Sequence, residues 1–377
     1  MNSGCDIAVI GAGMAGASVA AHLAEFAQVR LLEMEGQPGY HSTGRSAALF
    51  SETYGNEVIR ALSRASRSFY YAPPPSFCSL PLVKPRLVLA AARSGQEQSL
   101  RDLLESEDSG RLESISVDDA VALCPVLKRE GLIGAVLDRH SADIEVHELQ
   151  QGYLKLLRSR GGSVSTSAEV TKLERDDGAW HITTERETLR AAIIVNAAGA
   201  WAGQIAALAG ARAVGLQPLR RTACLLDAPP GSDSDSWPML FDIDEKFYLK
   251  PDAGKLLLSP ADETPSSPCD AQPDEMDIAL AVDRLESATT LNVTRIVRKW
   301  AGLRSFVADR TPLVGYDPDQ PTFFWLAALG GYGIQTAPAL SRLAASMVLE
   351  RPLDEELLAF GLDVRTLDPG RFSRPPP

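Results

Sequence analysis

The tightest constraint on this chain lies in its first 35 residues. Residues 6–10, DIAVI, form a short apolar run of strand type. GAGMAG follows, then ASVAAHLAEFA of helical composition, then a second apolar run, VRLLEME, at 29–35. A strand, a glycine turn, a helix and a second strand in about 30 residues make the βαβ unit of a dinucleotide-binding fold. Gly11, Gly13 and Gly16 spell GxGxxG. The first permits the tight turn, the second lets backbone approach a pyrophosphate, and the third lets helix and strand pack closely. The helix start then offers free N–H groups and the positive end of a dipole to phosphate. Glu33 stands 22 residues after Gly11, where a carboxylate can accept hydrogen bonds from ribose hydroxyls. That acid argues against a 2′-phosphate ligand such as NADP. An α/β chain holding a dinucleotide follows.

Two later segments bear on which dinucleotide. IIVNAAGAW (193–201) is an apolar strand ending in small residues, and LGGYGIQTAP (329–338) sets a glycine-rich turn directly before a helix. An NAD domain needs only the first motif; three such closures from distant parts of one chain suggest an extended cofactor wrapped by a whole domain. With 377 residues the chain has length for two domains. Its 49 Asp and Glu against 37 Lys and Arg give a net charge of −12. That balance argues against duplex DNA or an anionic membrane as main partner, since phosphate backbones need clustered cations.

Along the chain, a helix is expected over Asn56 to Tyr70, and Pro73 to Pro75 mark a boundary or crossover. Leu149, Tyr153, Leu156 and Leu157 lie on one face of a helix within Ile144 to Arg160. Val164 to Leu173, Trp180 to Thr184 and Ile193 to Val195 read as strands. The polar stretches Ala228 to Ser236 and Pro260 to Asp277 read as surface loops, the second as a solubilising acidic one. The uncharged stretch Ala191 to Ala211 parses as strand, turn and helix rather than a membrane span. The final RFSRPPP is expected to fray. Five separated cysteines and an N-terminus without a basic n-region point to a reduced, cytoplasmic protein. The five histidines show no metal spacing, and His147 beside Glu145 and Glu148 reads as a solvated helix face.

GAGMAG, GYHSTGRSAA (39–48), NAAGAW (196–201), FYLKPDAG (247–254), WAGLRSFVAD (300–309) and GGYGIQT (330–336) together resemble the FAD-dependent oxidoreductases of the D-amino-acid oxidase superfamily. Within it the resemblance is to the bacterial D-arginine, or broad-specificity D-amino-acid, dehydrogenases. It runs from about residue 6 to about 365 and implies a two-domain α+β flavoprotein. A Rossmann-like FAD-binding domain would be built from residues 1–80, 140–211 and 300–365. A mixed β-sheet substrate domain would take 81–139 and 212–299, leaving 366–377 as a tail. The resemblance implies non-covalent FAD, no cysteine standing after Cys269 where covalent relatives attach flavin.

Met14 and Ala15 would join the glycines in the diphosphate turn, with Glu33 and Met34 at the adenosine ribose. His41, Ser42, Thr43, Gly44, Arg45, Ser46, Ala47 and Ala48 would line diphosphate and flavin. Val170 would meet the adenine, and Ala198, Gly199 and Trp201 would close over the cofactor. Gly330, Gly331, Tyr332, Gly333, Ile334, Gln335 and Thr336 would bring a helix start to the flavin's pyrimidine end. Helix N–H groups there stabilise the negative charge of reduced flavin.

For substrate, Arg304 and Arg221 match carboxylate-binding arginines of the resembled group, and guanidinium is the best fork for a carboxylate. Tyr248 would add a hydroxyl, Tyr54 would sit in a lid, and Gly331 and Gln335 would orient the amine. Two positions depart from the D-arginine group. Leu49 stands where it has histidine, and Val88 where it has a glutamate facing the cationic side chain. With Leu87 and Phe50, they imply an apolar pocket suited to neutral or aromatic side chains, because a buried cation without a counter-charge is costly.

The implied reaction is oxidation of a free D-amino acid, by hydride transfer from Cα to flavin N5, to a 2-oxo acid and ammonia. A secondary-amine or glycine oxidase of sarcosine type, a 2-hydroxy-acid oxidase and a flavoprotein subunit without turnover of its own remain alternatives. The electron acceptor would be O2 or a quinone, the latter placing the protein at the periphery of a membrane. The protein would be a monomer or loose oligomer without a nucleic-acid partner, a transmembrane segment or a metal.

Overall fold

A computed structural model describes residues 4–105 and 109–372 of the chain. Alternation along the first strand, Gly4–Ile10, sets the architecture. Ile7 and Val9 point into one apolar core, Ala8 and Ile10 into another on the opposite face. A strand buried on both faces belongs in the middle of a parallel sheet covered by helices. Gly4–Ile10 accordingly pairs in parallel with Val29–Leu32 on one side and Thr188–Asn196 on the other. Ser163–Ser165 and Phe323–Ala327 extend the parallel run outwards. The hairpin Val170–Asp176 and Ala179–Thr184 adds antiparallel strands beyond Thr188–Asn196, and Leu313–Tyr316 pairs antiparallel with Phe323–Ala327. Helices Met14–Leu23, Val146–Ser159 and Ala337–Val348 supply one apolar cover and Ala202–Ala209 the other.

A nine-stranded sheet takes its strands from residues 88–138 and 217–306. Helices Val117–Leu123 and Glu275–Ala288 cover one of its faces. The opposite face carries Tyr248, Ala223 and Leu257 and looks towards the first sheet's glycine turns. A third, three-stranded sheet joins Leu49–Phe50, Ala142–Ile144 and Val83–Pro85. Val83–Pro85 therefore pairs with strands on the cofactor side of the expected division. The boundary expected at residue 300 falls inside the single strand Ile296–Phe306.

The single strand expected over Val164 to Leu173 is two, Ser163–Ser165 and Val170–Asp176. Between them Ser167 takes a left-handed φ of 48°, and the N–H groups of Ser167 and Ala168 donate to the carbonyls of Glu35 and Glu33. This break ties the chain just before Val170 to the segment Glu33–Glu35. The helix expected from Asn56 runs Glu57–Tyr71, with Asn56 as its cap accepting from Ile59 N. Of the stripe read on Val146–Ser159, Leu149, Tyr153 and Leu157 are buried and Leu156 half-buried. The acidic stretch 260–277 is not mere solvated surface. Asp262 accepts from the Thr222 backbone, Glu263 pairs with Arg221, and Asp277 pairs with Arg220. Of the tail expected to fray, Arg371 pairs with Asp309, while residues 373–377 lie outside the described residues. Among the described residues all five cysteines are free, and no His, Cys, Asp and Glu group could hold a metal. No described helix is long and apolar enough to cross a membrane.

His22 packs edge-on to Tyr153, and its Nε2 is buried without a hydrogen-bond partner. Burial, with the charges of Arg160 and Arg342, holds its pKa down at about 4. An unfolded chain takes up this proton near pH 6.5, and the folded chain resists until about 4, so stability falls as pH drops through that window. The loss expected is on the order of 2–3 kcal/mol. Urea denaturation at pH 7 and pH 4.5 checks it, and His22→Gln should flatten the difference.

Candidate active site

Between the two large sheets lies a cavity of about 640 Å³, lined at one end by Glu33, Met34 and Val170 and at the other by Arg221, Tyr248, Arg304 and Gly331. Its floor begins at the first glycine turn. Gly11 has φ 98°, and a Cβ there would lie 2.5 Å from the Ala197 carbonyl oxygen. A Cβ on Gly16 would overlap the Gly11 carbonyl, which fixes how closely Met14–Leu23 rides on the strand. A Cβ on Gly13 would meet only Thr43 Oγ1, at 3.3 Å, so this backbone faces the cavity. Thr43 Oγ1 also accepts from Met14 N at 2.9 Å, satisfying one helix-start donor and tying the 39–48 segment to it.

Glu33 is 7 % exposed and accepts from Ala12 N at 2.8 Å and Glu35 N at 2.9 Å. Burial pushes its carboxyl up, against the pull of those two backbone N–H groups. A carboxylate has about four acceptor sites, so lone pairs remain for a ribose diol. His41 packs on Trp201 with ring centres 4.5 Å apart and planes tilted by 44°, and bonds Glu35 at 2.8 Å, making an aromatic wall beside Ala198 and Gly199. Open glycine backbone at a helix start, a ribose acceptor and a long cavity fit FAD, and no cysteine lines it.

The far end is cationic. The Arg304 guanidinium has no hydrogen bond or ion pair to any described residue, and a Cβ on Gly331 would lie 2.8 Å from its Nη1. Arg221 is held at one corner by Glu263 (3.1 Å), while its Nε is buried with no partner. Burial, then repulsion from Arg304, pulls the Arg221 pKa down. Burial alone would raise Glu263, but Arg310, bonded at 2.7 and 3.0 Å, and Arg221 hold it below the ordinary range. Two neighbouring guanidiniums with an orphaned N–H have the chemistry to receive a carboxylate. Register explains the pairing, because Arg221 sits opposite Gly302 and Leu219 opposite Arg304 on adjacent antiparallel strands. Tyr54 packs on Tyr332 at 5.3 Å, and its hydroxyl reaches Glu245 at 3.5 Å. Burial around that hydroxyl, then the Glu245 charge, raises the Tyr54 pKa.

Of the residues singled out in the sequence, the cavity gathers Gly11, Gly13, Met14, Ala15, Glu33, Met34, His41, Ser42, Thr43, Arg45, Ser46, Ala47 and Val170. It also gathers Ala198, Gly199, Trp201, Arg221, Tyr248, Arg304, Gly330, Gly331, Gly333 and Ile334. Others do not line it. Gln335 is 4 % exposed and donates to Ser63 Oγ at 3.0 Å, so its amide serves the helix Glu57–Tyr71. Thr336 Oγ1 donates to the Tyr332 carbonyl. Phe50, expected in an apolar pocket, is core packed on Tyr70, and Leu87 packs against the covered face of the second sheet. Leu49 pairs with Asp143 in the small sheet, and Gly44 and Ala48 line a neighbouring cavity. Val88 pairs with Met239, two residues along from Phe241, which is opposite Tyr248. Strand alternation therefore puts Val88 on the face that carries Tyr248. Met239, Phe241 and Glu263 escaped the sequence reading. Met239–Asp242 is a short strand without a motif, and Glu263 stands in a stretch whose acidity resembled plain surface.

A dinucleotide trough running into an arginine-lined chamber defines an FAD-dependent oxidoreductase. The chain belongs to the family described as FAD dependent oxidoreductase (DAO), whose model matches residues 6–347. The glycine oxidase of Bacillus licheniformis is 24% identical over 365 residues, 93% of this chain and 95% of that protein. Among solved structures, glycine oxidase from Geobacillus kaustophilus superposes with a TM-score of 0.82 at 19% identity, covering 97% of this chain and 98% of that one. The L-alpha-glycerophosphate oxidase from Mycoplasma pneumoniae, with FAD bound, gives 0.81 at 17% identity over 92% and 95%. FAD is the cofactor. The likeness supports membership of the family, and not of its D-arginine dehydrogenase group in particular.

Proposed function

We propose that the protein oxidises a free amino acid at its Cα–N bond, giving a 2-oxo acid and ammonia, and that it prefers D-amino acids with neutral side chains. One observation carries the reading: Arg304 has no partner of its own in the chamber where Arg221 keeps an orphaned N–H. FAD, held by the first glycine turn, Glu33 and the segment 39–48, would supply the acceptor for the Cα hydrogen and its electron pair. Arg304 and Arg221 fix the substrate carboxylate, and Tyr248 adds a hydroxyl. Backbone at Gly331, packed on Arg304, orients the amine. The ammonium proton leaves to water, since His41, the lining histidine, is engaged with Glu35 towards the nucleotide end. Water then converts the released imino acid to oxo acid and ammonia.

The D-configuration rests on the sequence resemblance. Glycine or an N-methyl amino acid is the second reading, favoured by the glycine oxidase aligned over 93% of the chain. Comparing D-alanine with ethylamine, which lacks only the carboxylate, tests the clamp. Oxidation of both at similar kcat/KM would refute it.

The neutral preference gives a further expected result. Val88→Glu should raise kcat/KM for D-lysine relative to D-leucine about tenfold, by supplying a counter-charge on the Tyr248 face. Val88 is 7 % exposed, so some loss of Tm accompanies the change. Unchanged selectivity in the folded variant would show that Val88 does not face the side chain.

A further inference from the structure

The sheet face that carries Tyr248 and Arg304 continues past the segment 39–48 and floors a second cavity, of about 600 Å³. The two cavities share Gly39, Tyr40, Arg45, Ser46 and Ala47 as a common wall. Register makes this floor a single row. Leu225 pairs with Arg298 on one side and Leu257 on the other, and Leu257 pairs with Lys250. Residues directly opposite on neighbouring strands share a face, so Arg298, Leu225, Leu257 and Lys250 cross four strands in line, and all four line the cavity. Strand spacing sets the outer two Cα atoms about 14 Å apart, with two leucines between them. A cation therefore stands at each edge of a short apolar floor.

Neither cation is fully neutralised. The Arg298 guanidinium has no hydrogen bond or ion pair to a described residue, and it lies 5.7 Å from the centre of the Trp300 ring. Lys250 is 6 % exposed and spends one donor on Asp143, at 3.0 Å. Asp143 also accepts from Arg86 at 2.8 Å, so one carboxylate serves two cations. A buried ammonium with donors to spare and half a counter-charge favours an anion beside it. The other lining cations, Arg45 and Lys299, are matched by Asp270 and Glu275. The carboxylate of Asp252, two residues beyond Lys250 on the same face, has no hydrogen bond or ion pair among the described residues. Arg298 and the Arg86–Lys250 surplus against Asp252 leave one positive charge, inside a chain of net charge −12.

We propose that this cavity is a second ligand site, taking a small molecule through a phosphate group held between Arg298 and Lys250. Phosphate suits it better than a carboxylate because its three terminal oxygens can meet a guanidinium fork and a point ammonium from different sides. The ligand is inorganic phosphate itself or a phosphomonoester whose organic part rests on Leu225, Leu257 and Trp300.

Isothermal titration of the FAD-loaded full chain with inorganic phosphate, and separately with glycerol 1-phosphate, at ionic strength fixed with chloride, tests this. Saturable binding is expected, weakened at least tenfold in Arg298→Gln and tightened several-fold in Asp252→Asn, which removes the like charge. Arg298 is exposed, so the variant should keep its flavin spectrum and Tm. Tighter binding of the ester would identify an organic ligand, and tighter binding of the free ion would identify phosphate. Absence of saturable heat, or binding that Arg298→Gln leaves unchanged and therefore belongs to the Arg221–Arg304 chamber, would overturn the proposal.

Discussion

Arg304→Ala is expected to lower kcat/KM for an amino-acid substrate about 10³-fold while FAD remains bound. A bidentate, charge-assisted contact in a partly buried chamber accounts for roughly 4 kcal/mol, and this guanidinium has no other partner to absorb the change. Arg304 packs on Gly331 at the substrate end, far from the Glu33 end of the trough, so flavin content should stay at the level of the unaltered protein. Arg304→Lys restores charge but not the fork, and should recover only part of the loss. Steady-state kinetics with flavin-to-protein ratios check both. A variant that keeps full activity would remove the clamp from the mechanism.

Gly16→Ala is expected to cost the FAD itself. The added Cβ would overlap the Gly11 carbonyl oxygen, and 3.3 Å away waits the Cβ of Ala197. Neither is the end of a flexible side chain, so Met14–Leu23 must lift from the strand that aims it. Overpacking of this kind costs about 1–3 kcal/mol, and here it also displaces the N–H groups that face the pyrophosphate. Purified protein should be largely flavin-free, with a lower Tm. Gly203→Ala is the matching control: a Cβ there meets nothing within 4 Å, and the residue lies in the helix Ala202–Ala209. It should keep its flavin and gain about 0.5–1 kcal/mol.

These two residues also show what can be read from a sequence and what cannot. Gly16 is legible because its constraint is local: a turn, a helix start and a strand within a dozen residues demand a missing Cβ. The helices and parallel strands are legible for the same reason, since their apolar periods are written in consecutive residues. Arg221 and Arg304, by contrast, meet only because two strands 80 residues apart pair in one register. The resemblance to a known family, rather than any spacing, pointed to them. Phe50 shows the opposite failure. An apolar residue next to a motif looks like pocket, yet it fills the core against Tyr70. Gln335 misleads likewise, its amide being spent on Ser63 in a neighbouring helix. Glu263 went unread because an acid in a polar loop has no period to say which way it faces, and only the fold brings it to Arg221.

In the proposed reaction the arginine chamber presents an amino acid's Cα to FAD. Anaerobic mixing of the FAD-loaded protein with D-, L- and N-methyl amino acids, followed by flavin absorbance, tests it most directly. Rapid bleaching by neutral D-amino acids is expected, with slower bleaching by D-arginine and D-lysine, and none by the matching amines without a carboxylate. Flavin that stays oxidised with every D-amino acid, or bleaches equally well without the carboxylate, would contradict it.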